Sequence, residues 1–368
     1  MTRALIVAAC RSPVAPRGGA LAHLDLPALA APVLRGALAR AGLDPAQVDE
    51  VICSTAIGPG GNPARSIALA AGLPQHVAGL SIDRQCAGGL DALALARQMI
   101  LSGAVEVVVA GGAESYSRQP LRSRTFADGR PPEPYQQAPF TPWPDRDPDM
   151  TEAAAALALS QGIDRAAQDR WAVESHAKAR AHPPAEAEIV PVEGCASDAF
   201  TRRLTPALCR RAKLLAGDIT AANAAVAADA AAFAVVVSDR VADRLTTPRV
   251  DLLASATKGG RPEEPGLAPL VAIDDVLRRE AVAAQDLDVA EVMEAYAVQA
   301  IACVKGAGIA PEIVNPGGGA LARGHPIGAS GAINAVRLWH ALVARGAGTG
   351  LAAIAAAGGI GSAALMRL

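Results

Sequence analysis

The first third of the chain alternates between two hydrophobic patterns. Mostly apolar segments at 4–9, 48–57 and 106–112 predict buried strands. Between them, residues 28–42 and 64–72 carry apolar positions at helical spacing and end in glycine, as helices often do. Continuous apolar strands that are separated by helices predict a mostly parallel sheet with both faces covered.

The last third repeats this order of elements. A strand is predicted at 250–259, a helix at 273–280, and a strand followed by a helix at 288–308. A long helix with a glycine-rich entrance is predicted at 325–346, and paired strands close the chain from residue 350 to the end. The two halves therefore look like copies of one α/β unit, with a cleft expected where their helix starts face each other.

A different composition separates the two halves. Residues 116–149 are rich in Pro, Arg and Asp, which is typical of a linker, and an amphipathic charged helix is predicted at 164–182. The first of these segments nevertheless holds a large share of the chain's few aromatic residues, among them Phe126, Tyr135, Phe140 and Trp143. A folded insertion with a surface role is therefore predicted here, rather than a disordered linker.

Composition narrows the class of protein. The chain has 368 residues, of which 51% are hydrophobic and 19% charged, so two or three compact domains are expected. Aromatic residues make up only 3%, and the core must therefore be built from closely packed Ala, Val, Leu and Ile. The net charge is −2 and no basic stripe is present, which argues against a nucleic-acid partner.

Location and metal content are predicted from the same sequence. The longest uncharged run, 346–366, approaches the length of a membrane helix, but it is mostly Ala and Gly and is interrupted by GGIG, which favours two strands. The six cysteines form no C-x-x-C pair and no zinc-binding spacing, so we expect no metal. No signal peptide is recognised, and a cytoplasmic protein with reduced thiols and no membrane span is predicted.

The stretch SIDRQCAGGLDALALARQMI, residues 81–100, places Cys86 where a strand-like lead meets a helix. A buried packing role is one interpretation, because free cysteines are among the most buried residues. The start of a helix, however, offers unpaired N–H groups and a partial positive charge, and both favour the thiolate. Cys86 is therefore predicted to be a nucleophile of low pKa.

His325 lies in the glycine-rich stretch NPGGGALARGHPIGASGA, residues 315–332, with Pro326 suited to start the next helix. Such a stretch could hold a phosphate, but neither nucleotide-binding glycine motif is present, so a nucleotide cofactor is not expected. A cysteine in one half and a histidine in the other form a plausible pair of nucleophile and base.

These segments together resemble the thiolase family along the whole chain. The resemblance rests on CRSPVAPRGGAL, DRQCAGGLDALALA, VVVAGGAESYSRQP, MEAYAVQA, GGALARGHPIGASGA and the C-terminal GLAAIAAAGGIGSAALMRL. It implies an α/β fold with a five-layer core of two duplicated halves and an inserted loop domain, and a homodimer or homotetramer. On that pattern the first half is 1–115 plus 222–247, the loop domain is 116–221, and the second half is 248–368.

The resemblance also implies a chemistry. Cys86 would accept an acyl group from a coenzyme A thioester, and His325 would activate the thiol. The backbone N–H groups of Cys86 and Ala357 would form an oxyanion hole. Coenzyme A is then part of the substrate, with no permanently bound cofactor and no metal.

The chain departs from the family pattern at positions expected to line the site. The second catalytic cysteine of the family is Ala355 here, and the asparagine that orders a water is Met293. In the coenzyme A block, a serine is replaced by Ala225 and a glycine by Val226. Cys303 lies ten residues beyond Met293 on a predicted helix, about 15 Å along its axis, which is too far for direct proton transfer.

Three hypotheses follow. The first is an acyl-CoA-dependent acyltransferase with a thioester on Cys86, impaired in ordinary Claisen condensation. The second is an ordinary 3-ketoacyl-CoA thiolase or acetyl-CoA acetyltransferase with another base. The third is a non-catalytic subunit that holds a partner protein in a mixed thiolase-like complex; a decarboxylative ketosynthase is a weaker fourth. Neither the acyl chain nor the acceptor can be read from the sequence.

Overall fold

The computed structural model describes residues 2–368, which form one large sheet, two small strand pairs and eleven α-helices. The strands are β1 Ala4–Arg11, β2 Ala15–Pro16, β3 Glu50–Ser54, β4 Leu80–Ile82, β5 Val107–Glu114, β6 Arg122–Arg124, β7 Glu133–Tyr135, β8 Leu214–Ala216, β9 Ile219–Thr220, β10 Ala228–Ser238, β11 Val250–Gly259, β12 Val289–Val292, β13 Thr349–Ala356 and β14 Ile360–Arg367. The helices are α1 Leu26–Ala41, α2 Pro63–Ala70, α3 Gly88–Leu101, α4 Met150–Gln161, α5 Arg165–Ala181, α6 Pro206–Arg210, α7 Asp239–Ala242, α8 Pro269–Arg279, α9 Ala297–Gly306, α10 Ala320–Arg323 and α11 Ile327–Arg345.

The large sheet shows that the two halves are copies. Its strand order is β12-β13-β14-β11-β1-β10-β5-β3-β4, with β1 and β11 paired antiparallel where the halves meet. From that junction outward, one half runs β1, β10, β5, β3 and the other runs β11, β14, β13, β12. In each half the first two pairings are antiparallel and the third is parallel. The predicted duplication is therefore confirmed.

The predicted mostly parallel sheet is wrong. Parallel pairing is confined to β3 with β4, β3 with β5, and β12 with β13. The reason lies in β10, which arrives from beyond the insertion and runs antiparallel between β1 and β5. In the second half, β13 and β14 form the hairpin predicted for the end of the chain, which places β14 in the position equivalent to β10.

The layers are arranged around two central helices. Leu93 of α3 and Val336 of α11 belong to one apolar core that contacts both half-sheets, so these helices form the middle layer. The outer face of the first half-sheet is covered by α1 and α2, and that of the second by α8 and α9. This is the five-layer α/β core that the resemblance implied.

Glycine allows the two central helices to approach closely. A Cβ atom on Gly331 of α11 would lie 2.5 Å from the backbone nitrogen of Leu90 in α3. A Cβ atom on Gly89 would lie 2.6 Å from the nitrogen of Ala332, well inside van der Waals contact. The AGG and GASGA stretches are therefore needed where backbone meets backbone, and they bring the starts of α3 and α11 together.

The insertion is folded, as predicted. It contributes the antiparallel pairs β6–β7 and β8–β9 and the helices α4, α5 and α6. Ion pairs join it to the core: Arg11 Nε lies 2.7 Å from Glu188 and its Nη1 2.7 Å from Asp198, while Arg337 lies 3.0 Å from Glu188.

The exact division at 116–221, and the split of the first half into 1–115 and 222–247, stay predictions. Across residues 2–368, every helix is too short or too polar to cross a membrane.

Candidate active site

Cys86 lies on a single 3₁₀ turn, Gln85–Ala87, directly before α3. The residue before it, Gln85, has φ +49°, a left-handed conformation that is uncommon outside glycine. Asp83 supports this turn, because its Oδ1 accepts a hydrogen bond from the Gln85 backbone N–H at 2.8 Å. A tightly held, strained turn therefore presents the thiol at the start of the helix.

His325 occupies the corresponding place in the second half, directly before Pro326 and α11. Its backbone N–H donates to the carbonyl of Val226 at 2.7 Å, and a parallel bridge joins it to Ala227. The preceding Gly324 has φ +117°, a conformation that a side chain would strain. Val226, one of the positions predicted to depart from the family pattern, thus fixes the backbone of His325 through its own carbonyl group.

The two predicted residues meet. Cys86 Sγ lies 3.1 Å from His325 Nε2, and His325 Nδ1 lies 2.7 Å from Ser330 Oγ. Ser330 donates its own hydrogen to the carbonyl of Pro326 at 3.1 Å, so its oxygen is left to accept from Nδ1–H. This assigns the proton to Nδ1 and turns the free lone pair of Nε2 toward the thiol, as a general base requires.

Ser330 was not predicted. It lies in the histidine block, five residues after His325 and inside the first turns of α11. A sequence signal did exist, because a hydroxyl residue in the helix that follows His325 is placed to face back toward it. The helical register of α11 would have been needed to use that signal.

Burial sets the protonation of the pair. Burial raises the pKa of Cys86 to about 12, and the carboxylates of Glu114 and Asp83 raise this pKa further. The backbone N–H of Cys86 itself has the opposite, smaller effect. Burial lowers the pKa of His325 to about 4. At neutral pH the resting site therefore holds a neutral thiol and a neutral imidazole. The low pKa predicted for Cys86 is wrong, because the loss of water around the thiol outweighs the favourable helix start.

Glu114, at the end of β5, is a second residue that sequence analysis missed. Its buried carboxylate accepts hydrogen bonds from Thr55 Oγ1 at 2.7 Å, Ala56 N at 2.9 Å and Gly328 N at 2.9 Å. Burial raises the pKa of this carboxyl, and the same hydrogen bonds oppose the rise. Glu114 thereby connects the first turn of α11 to the loop after β3, which fixes the start of the helix that follows His325.

A cavity of about 320 Å³ opens above the pair. Cys86, His325 and the strand end Ala355–Ala357 lie at one side of it, and α4 of the insertion forms much of the opposite wall. Further polar and aromatic side chains line the cavity: Gln85, Tyr116, Gln137, Phe140, Asp149, Thr151, Tyr296 and Gln299. The insertion therefore helps to enclose the space in which a substrate would meet the thiol.

The positions that were predicted to depart from the family pattern fall into different environments. Ala355 and Ala225 line the cavity, whereas Met293 is 1% exposed and packs in the core beside Ser330 and Asn334. Met293 is thus not a wall of the main cavity, although it was expected to line the site. Neither side chain can donate a hydrogen bond or transfer a proton, because alanine has no polar side-chain atom and the methionine sulfur is only a weak acceptor.

Among residues 2–368, the Cys303 thiol does not reach the cavity. Cys303 is buried and its Sγ donates to the carbonyl of Gly266 at 3.1 Å, so it lies behind the cavity wall. The same residues contain no group of three His, Cys, Asp or Glu side chains that could hold a metal ion.

Glu294 shows how the insertion is locked in place. Its buried carboxylate accepts from Trp171 Nε1 at 3.0 Å, Ser175 Oγ at 2.7 Å and Asn315 Nδ2 at 2.9 Å. Trp171 and Ser175 belong to α5, and Asn315 opens the glycine-rich stretch before His325. The acidic residue of MEAY therefore couples the insertion to the histidine loop.

Two duplicated α/β halves, with a cysteine and a histidine meeting at their central helix starts, define an acyltransferase of the thiolase type, and this chain belongs to the thiolase family. The family's N-terminal domain model matches residues 4–240 and its C-terminal domain model matches residues 246–368. The substrates of this family are coenzyme A thioesters, and no permanent cofactor is required.

Particular relatives match over nearly the whole length. An acetyl-CoA acetyltransferase of Cupriavidus necator is 38% identical over 401 residues, covering 98% of each chain. A putative acetyl-CoA C-acetyltransferase of Bacillus subtilis is 39% identical over 376 residues, covering 99% of each. The crystal structure of an acetyl-CoA acetyltransferase of Bacillus anthracis superimposes with a TM-score of 0.90 at 32% identity, covering 100% of this chain and 99% of that one.

Proposed function

We propose that this protein transfers acyl groups from coenzyme A thioesters through a thioester on Cys86. The observation that carries the proposal is the 3.1 Å contact between Cys86 Sγ and His325 Nε2 beside the cavity. His325 takes the thiol proton as sulfur attacks the thioester carbonyl. The tetrahedral intermediate then expels the thiolate of coenzyme A, which receives that proton from His325 and leaves as the free thiol.

The backbone N–H groups of Cys86 and Ala357 are the proposed donors to the developing oxyanion. Both residues border the cavity, and the turn that carries Cys86 packs against β13, which leads into Ala357. The position of both residues beside the thiol supports this role, and one such donor typically contributes about 10²–10³-fold to the rate.

The acceptor step is proposed to differ from that of an ordinary thiolase. Ala355 lines the cavity without an acid–base group, and a positioned acid–base typically contributes about 10²–10⁴-fold. We infer that Claisen condensation and its reversal are slow, and that the acyl group passes to another nucleophile or to a more acidic carbon. The relatives from Cupriavidus necator and Bacillus subtilis, which are named as acetyl-CoA acetyltransferases, favour the alternative, an ordinary acetyl-CoA acetyltransferase.

The acyl-enzyme is tested by intact-protein mass spectrometry after mixing with a panel of acyl-CoAs. The wild-type chain should gain one acyl mass, Cys86→Ala should gain none, and Cys303→Ala should behave as wild type because that thiol is walled off. Equal labelling of Cys86→Ala would overturn the proposal. An absence of labelling together with co-purification of a second protein would instead favour the non-catalytic subunit of a mixed complex.

The acceptor step is tested separately with Ala355→Cys. Since Ala355 faces the cavity, a thiol there would restore the missing proton transfer, and acetoacetyl-CoA thiolysis should rise by at least tenfold. Normal thiolysis by the wild-type chain, with no gain in the variant, would show that another group already performs this step.

A cytoplasmic homo-oligomer completes the proposal. The strand β4 pairs with β3 on one side only, and Leu80 within it is 41% exposed at the edge of the sheet. Such an edge offers unpaired backbone groups to a second copy of the chain. Multi-angle light scattering should give twice or four times the mass of one chain, and a monomer would contradict this part.

A further inference from the structure

Two of the chain's three tyrosines line the cavity beside Cys86. Tyr116 lies on the turn after β5 and Tyr296 lies between β12 and α9, while Tyr135 belongs to the surface hairpin of the insertion. Tyr296 stands where the resembling family block has phenylalanine. A chain with so few aromatic residues has thus placed two phenols in one small space.

The Tyr296 hydroxyl is fixed by the insertion. It lies 3.1 Å from Thr151 Oγ1 at the start of α4, and both residues line the cavity. One hydroxyl of this pair donates to the other, so the second hydroxyl keeps its hydrogen for another acceptor. The pair therefore offers one free O–H donor.

Tyr116 offers a second free O–H donor to the cavity. Asp229, buried in β10, accepts from the backbone N–H of Ser117 at 3.0 Å and also from the Ser117 hydroxyl, which holds the turn that carries Tyr116. Tyr116 lines the cavity, and its hydroxyl has no hydrogen-bond partner among residues 2–368. It is an oriented donor without an acceptor.

Both phenols keep their protons. Burial raises the pKa of Tyr116 and of Tyr296, and the nearby Cys86 raises each further. A protonated phenol donates a hydrogen bond but does not accept a proton, so neither residue replaces the base that is missing at Ala355. Their contribution has to lie in binding.

We propose that the two phenols select acyl groups that carry a hydroxyl group on the chain near the thioester. This proposal rests on the proposed function and deepens it. The cavity lining includes Asp149 but no lysine or arginine, which disfavours an acyl group ending in a carboxylate. Met150, Leu157 and Ile327 supply the apolar surface for the remainder of the chain.

Selectivity is measured on a chain that cannot be acylated. Isothermal titration calorimetry of Cys86→Ala gives the Kd for butyryl-CoA and for both enantiomers of 3-hydroxybutyryl-CoA. An oxygenated chain should bind about tenfold more tightly than butyryl-CoA. Adding Tyr116→Phe or Tyr296→Phe removes one donor with little change in shape, and each should erase most of that preference while leaving the Kd for butyryl-CoA within about twofold.

Tyr135→Phe is the matched control, because it removes the same oxygen outside the cavity and should leave every Kd unchanged. Two results would overturn the proposal. One is tighter binding of butyryl-CoA by the Cys86 variant whose tyrosines are intact. The other is an equal loss of affinity for all acyl-CoAs in the two cavity variants, which would assign the phenols to the pantetheine arm. Because the measurement does not need acyl transfer, a failure of the Cys86 thioester would be seen separately by mass spectrometry.

Discussion

Ser330→Ala tests the assigned tautomer of His325. The substitution removes the acceptor that lies 2.7 Å from Nδ1 and leaves that N–H without a partner in a buried site. An unsatisfied buried donor costs about 1–3 kcal/mol. The same energy favours the proton moving to Nε2 or the ring turning away, either of which withdraws the base from Cys86. At about 1.4 kcal/mol per tenfold, acylation should slow by roughly 5- to 150-fold.

The assay is rapid quenching of the acyl-CoA reaction followed by intact mass. Ser54→Ala is the matched control, because the Ser54 hydroxyl is equally buried near the start of α3 but has no hydrogen-bond partner. The control should be acylated at the wild-type rate. Nitrogen-15 NMR of labelled histidine should show the Nδ1–H tautomer in wild type and a loss of it in Ser330→Ala. Wild-type kinetics in Ser330→Ala, with the tautomer unchanged, would refute the reasoning.

Three further outcomes are expected. Gly331→Ala places a Cβ 2.5 Å from the Leu90 nitrogen, so it should push α3 and α11 apart and lower both the melting temperature and the acylation rate; no change in either would contradict the packing argument. Glu188→Ala strips two buried arginines of a shared partner and should cost about 3–5 kcal/mol in urea unfolding, whereas a loss below about 1 kcal/mol would show a solvated network. Burial lowers the pKa of His325 from 6.5 to about 4, so the unfolded state binds more protons than the folded state between these pH values. The unfolding free energy should therefore rise with pH from about 4 to 6.5, and His325→Asn should flatten that slope.

Much of the architecture could be predicted from local patterns. The strand at Val107–Glu114, the long helix that ends at Gly346 and the final hairpin were all recognisable, because a buried strand is continuously apolar and a helix repeats every 3.6 residues. The repeated order of elements also predicted the duplication. The pairing of Cys86 with His325 followed from the same repetition, since equivalent helix starts meet near the middle of the fold.

The errors came from contacts between distant parts of the chain. The direction of the sheet depends on β10, which enters from residue 228 and cannot be placed by neighbouring sequence. Glu114 reaches across 214 residues to Gly328, and nothing in VVVAGGAES marks that carboxylate as a partner. The pKa of Cys86 depended on how much protein surrounds the thiol. A helix start is visible in a sequence, but the depth of burial is not.

The duplication has a consequence for how this protein tolerates change. Although the halves repeat one plan, each holds a different member of the proposed reacting pair: the proposed nucleophile Cys86 precedes the central helix of the first, and the proposed base His325 precedes the central helix of the second. Neither copy holds a spare for the other. The two halves repeat one architecture, but the proposed chemistry depends on both of them. Any motion that separates α3 from α11 would therefore abolish acyl transfer without changing either reactive side chain.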